Sequence, residues 1–107
     1  MTNQANVQII DKLESFFEET IQTMDRQFTS HEFFLKLSHA YQNEYVTALA
    51  MYTDNNQPFK ELHLELFKRL QKLDGRQISV QMKNYPSRGI FGIASTSTLW
   101  RKNLPLA

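Results

Sequence analysis

Cysteine is absent from the 107 residues, so neither a disulfide framework nor a thiolate metal site can be built. Glycine and proline are scarce, three of each, against eight phenylalanines. That scarcity excludes collagen-like and low-complexity chains, and the aromatic supply favours a packed core over disorder. No apolar run approaches the ~20 residues that a membrane-spanning helix needs. The opening MTNQANVQIIDKL also lacks the basic start and apolar block of a secretion signal. The expectation is a cytoplasmic chain without a membrane partner, and the missing thiols fit a reducing compartment. One domain, residues 1–107, is expected, with residues 1–6 frayed.

Charge is close to balanced overall, at +1, but not along the chain. Residues 1–66 hold four Lys/Arg and ten Asp/Glu, a net of −6, while residues 67–107 hold eight Lys/Arg and one acid, a net of +7. Such polarity builds a basic face, or else an acidic half neutralises a basic half within the fold.

Apolar spacing predicts helices through most of the chain. Ile9, Ile10, Leu13, Phe16, Phe17, Ile21 and Met24 recur every three or four positions and predict a helix from Val7 to about Asp25. In FTSHEFF, Thr29 and Glu32 have capping-box spacing, and Phe28 and Phe33 are placed as a hydrophobic staple. A second, long helix is expected from Ser30 to Tyr52, with Asp25–Phe28 as a tight connector. Its broad apolar strip adds Leu35 and Val46 to Tyr41, Tyr45 and Tyr52. These five residues form the candidate partner surface, with tyrosine rings inside and hydroxyls near water. Pro58 opens a third helix carrying Phe59, Leu62, Leu66, Leu70 and Leu73, and Asp74-Gly75 closes it. Ile78, Val80 and Met82 then alternate with polar residues as a strand, broken by Asn84–Ser87. Ser95–Thr98 reads either as a second strand or as the cap of a short last helix. The fold class expected is mainly α: a three-helix domain with a small C-terminal β element. An α+β, winged-helix-like arrangement is the alternative.

The tests for chemistry fail one by one. His31-Glu32 starts a zinc-protease motif, but position 35 is leucine where the second histidine must stand. His63, among Phe59, Leu62, Leu66 and Phe67, reads as a hydrogen-bonded boundary histidine, and His31 as a solvated one. GIFG lacks the Lys-Ser/Thr of a phosphate loop, and no nucleophile elbow occurs. No catalytic, metal or cofactor residue is assigned, and no enzyme is expected.

RGIFGIASTSTLWRKN, Arg88 to Asn103, holds two of the glycines and the lone tryptophan. It reads as a clamp in which Phe91 and Trp100 enter the core, as a partner surface, or as a wing. In the nucleic-acid reading, Lys60, Lys68, Arg69 and Lys72 on the third helix and Lys83, Arg88, Arg101 and Lys102 beyond it face phosphates, with Arg76 between the two groups. Tyr85 and Trp100 would stack on bases. Against it stand the length of the second helix and the long turn before the third. The third helix also interleaves Glu61 and Glu65 with its cations.

FTSHEFF leading into YQNEYV, then PF…H, then IFG followed by LWRK, resembles a small uncharacterised bacterial single-domain family of the Bacteroidetes type. The resemblance runs from Phe28 onward, implies no activity and carries over no functional residue. The expected function is a non-catalytic intracellular protein-interaction module, self-associating through the aromatic flank of the second helix. The alternative is a winged-helix-like nucleic-acid binder.

Overall fold

A computed structural model describes residues 4–103. The elements in order are α1 (Gln4–Glu14), α2 (Phe17–Thr23), β1 (Gln27–Thr29), α3 (Ser30–Ala40), α4 (Gln42–Ala50), α5 (Pro58–Gln71), β2 (Ile78–Arg88) and β3 (Ala94–Lys102). The strands form one antiparallel sheet with β3 in the middle, flanked by β1 and β2. The fold is therefore α+β, which corrects the mainly α expectation. Strand, not helix, takes most of the chain after Gly75, in runs of 11 and 9 residues. A third strand, β1, takes in the last two residues of the expected tight connector, Gln27 and Phe28. At three residues it is too short to display a period of two.

Both long helices predicted from periodicity are broken. The first divides at Ser15–Phe16 and the second at Tyr41, whose backbone leaves the helical region at φ −129° and ψ 57°. The rings at the two breaks stack on each other, centroids 4.0 Å apart and planes 4° from parallel. Apolar periodicity survives each break because the same face stays inward on both sides. Of the residues expected to fray, 4–6 open α1, and 1–3 lie outside the described residues.

The starts of α3 and α5 follow their local chemistry. Thr29 accepts from the Glu32 backbone N–H at 3.1 Å, and the Glu32 carboxylate accepts from the Thr29 N–H at 2.9 Å. The staple partners Phe28 and Phe33 are both buried, with ring centroids 6.1 Å apart. Pro58 starts α5, but the helix stops at Gln71 with Lys72 as its C-cap, before the expected Asp74-Gly75 stop. Gly75 adopts φ 83° and its N–H donates to the Ile78 carbonyl at 2.8 Å, so it shapes the turn into β2 and does not cap the helix.

Leu13, Phe17, Phe33, Leu37, Leu62 and Leu66 fill the helical core. Ile78 and Trp100 seat the sheet on it, both fully buried. The indole Nε1–H donates to Ser30 Oγ at 2.8 Å, which satisfies the one polar atom of that ring. Only half of the expected clamp therefore forms. Trp100 is inside, but Phe91 at the hairpin turn is 66% exposed and Ile93 70%. Ile90 alone of that cluster packs against the core.

Ser95–Thr98 belongs to β3 and not to a helix. β2 does not stop at Asn84–Ser87. It continues to Arg88 by absorbing register shifts between Val80 and Met82 and between Met82 and Tyr85. Asn84 supplies the irregular backbone, at φ 57°, a region that asparagine tolerates better than most residues.

Candidate functional site

An open groove of about 490 Å³ lies between α5, the β2–β3 hairpin and the start of α3. Leucine spacing in α5 turns Leu62, Leu66 and Leu70 inward, which leaves His63, Leu64 and Phe67 along the groove. Phe34 of α3 completes its aromatic side, and the His63 ring stacks on Phe34 at 4.8 Å. His63 Nε2 lies 2.7 Å from the Tyr45 hydroxyl. Burial, aided by the nearby His31, pushes the His63 pKa down to about 4, so the ring is neutral at pH 7. Burial also pushes Tyr45 up to about 12, so this hydrogen bond joins two neutral groups.

His31 is not the solvated residue expected. Its backbone N–H donates to Ser97 Oγ at 3.2 Å, and its Nδ1 lies 3.2 Å from Ser87 Oγ. Burial lowers its pKa, against a hydrogen bond to the Arg88 backbone that raises it. Ser87 in turn donates to the cap residue Thr29 at 3.1 Å. The hairpin is therefore tied to the start of α3 by a polar chain at the groove's edge. Lys60 from α5 and Lys83 from β2 line the same groove, along with the amides of Gln71 and Asn84, and no Asp or Glu lines it. Separation in sequence hides this gathering. The visible hints are a histidine among apolar neighbours at position 63 and an asparagine interrupting a strand at position 84.

The candidate nucleic-acid contacts fall into two groups. Lys68 and Lys72 are exposed on and just beyond α5, and Lys83 and Arg88 are exposed on β2. Arg88 Nη1 donates to the Gly92 carbonyl at 2.8 Å, which fastens the turn. Arg76, Arg101 and Lys102 lie at the other end of the sheet. There Arg101 and Lys102 share a shallow depression with Arg26, and Asn103 donates to the Arg76 carbonyl. Lys102 is engaged, donating to the carbonyls of Gln22 and Met24 at the end of α2 at 3.3 and 3.1 Å. Arg69 points away from the groove to Asp11, Glu14 and Glu65. Every ion pair among the described residues converges on it, and the other candidate cations meet no carboxylate there. Tyr85 is exposed, while Trp100, expected to stack on bases, is shut inside.

The candidate partner surface is not presented as one strip. Tyr45 is buried, and Tyr41 and Tyr52 are half-buried against the core. The Tyr41 hydroxyl donates to Glu19 at 2.9 Å. Leu35 and Val46 are exposed, on separate helices. Among the described residues no group of His, Asp and Glu is placed to hold a metal, and no helix is long and apolar enough to cross a membrane. Neither family models, nor curated proteins, nor solved structures match the chain.

Proposed function

We propose that the chain is a non-catalytic, winged-helix-like nucleic-acid-binding protein that offers α5 and the β2–β3 hairpin to duplex DNA. The order helix, strand, helices, then a two-strand ribbon whose second strand is central is the connectivity of winged-helix domains. A helix is the element that fits the major groove. The observation that carries the reading is the sorting of cations. Arg69 is consumed by three carboxylates of the acidic half, whereas Lys68, Lys72 and Arg88 remain exposed and without ion pairs among the described residues. Free surface cations gain affinity for a phosphate backbone by releasing condensed counterions. Kinship with the bacterial family of the FTSHEFF and LWRK motifs is part of the proposal and adds no activity to it. A nucleic-acid partner also agrees with a cytoplasmic location.

Fluorescence anisotropy on a labelled duplex tests the reading. Neutralising about four phosphates gives a roughly hundredfold loss of affinity between about 50 and 200 mM salt. No binding at the lower salt overturns it. A mass that then rises with concentration in sedimentation would return the function to self-association through Leu35 and Val46.

A further inference from the structure

We propose that the groove between α5 and the hairpin binds a single nucleotide unit, with the base against Phe67 and His63 and the phosphate met by Lys60 and Lys83. The volume, about 490 Å³, falls within the range of small-ligand sites. Its lining holds two lysines and no acid, which selects an anion. Its inner side is aromatic, so a bare inorganic anion leaves that surface unused. His63 is held by its stack on Phe34 and its bond to Tyr45, so it presents a fixed ring face. Being neutral, that ring stacks on a base without the cost of burying a charge. Gln71 and Asn84 bring amide groups, each with donors and an acceptor, that suit the polar edge of a base. The irregular backbone of β2 at Asn84 makes this side of the groove, which gives the left-handed residue there a use. A free mononucleotide and an unpaired nucleotide of a strand share this chemistry. The inference stands apart from the duplex reading, which rests on Lys68, Lys72 and Arg88.

Calorimetry with the four ribonucleoside 5′-monophosphates, their nucleosides and inorganic phosphate tests the proposal. At least one monophosphate is expected to saturate the protein, with its nucleoside and phosphate alone each about tenfold weaker or worse. Lys60→Ala and Lys83→Ala should each weaken that binding about tenfold, while Lys72→Ala leaves it unchanged. Trp100 provides a second readout, since its ring lies 6.3 Å from Phe67 at the groove wall. If none of the four saturates, or if the Lys60→Ala/Lys83→Ala double variant binds like the parent, the proposal fails. A short single strand that displaces the bound monophosphate assigns the site to strand recognition, and one that does not assigns it to the free nucleotide. Monophosphate binding without duplex binding sinks only the duplex reading, and the reverse result sinks only this one.

Discussion

Two side chains show how much a single residue decides here. Trp100 has no solvent exposure, and its only polar atom is satisfied by Ser30. Ser30→Ala leaves that N–H buried without an acceptor and should cost about 1–3 kcal/mol in urea denaturation, with Ser30→Thr losing less. His63 links stability to pH. Its folded pKa, about 4, lies below the ordinary 6.5, so the unfolded chain takes the proton first as pH falls. Stability should be flat above pH ~7, decline as pH drops below 6.5, and reach its full loss of about 3 kcal/mol below pH ~4. His63→Gln should flatten this part of the profile when melting temperature is followed against pH. The need for a hydrogen-bond partner at both residues is readable from residue type. The identity of the partner is not, because Ser30 and Trp100 are 70 positions apart and meet only through the sheet.

Among the elements, α3 and α5 are the ones whose start signals the sequence displays openly. The capping box at Thr29 forms as its spacing predicts. Thr29→Ala should lower stability by about 1 kcal/mol, measured by chemical denaturation, because one N-terminal N–H of α3 loses its acceptor. The breaks at Phe16 and Tyr41 are not legible in the same way. Neither site holds proline or glycine, and an apolar stripe reads the same through a bend that keeps its face inward. The rings at the two bends stack on each other at 4.0 Å, a tertiary contact that local pattern does not contain. β2 shows the converse. Its sequence alternates from Ile78 to Met82, but the ladder already shifts between Val80 and Met82 and shifts again before Tyr85. The bulged residues Gln81, Lys83 and Asn84 drop out of the pairing while the strand as a whole stays on β3.

Over the whole molecule, the division into an acidic and a basic half is visible from composition, but its outcome is not. The fold settles it unequally: one arginine gathers Asp11 and Glu14 of α1 and Glu65 of α5, and the cations flanking the groove stay unpaired among the described residues. Replacing Lys68 and Lys72 by alanine should weaken duplex binding about equally across sequences. It should also reduce the slope of log K against log salt by about two, one for each phosphate that no longer meets a lysine. Anisotropy titrations at several salt concentrations would measure both effects. A slope unchanged by the double substitution would remove α5 from the interface.

The placement of β3 bears on how the protein comes into being during translation. The strand synthesised last among the three is the one that pairs with both others. A nascent chain that has made β1 must wait about 70 residues for its neighbour, with Phe28 lacking Trp100 opposite it. Helices α1 to α5 can form on the ribosome, but sheet closure and burial of the indole come as one late event. Interrupting synthesis before Leu99 should therefore release a protease-sensitive helical intermediate, not a smaller stable fold.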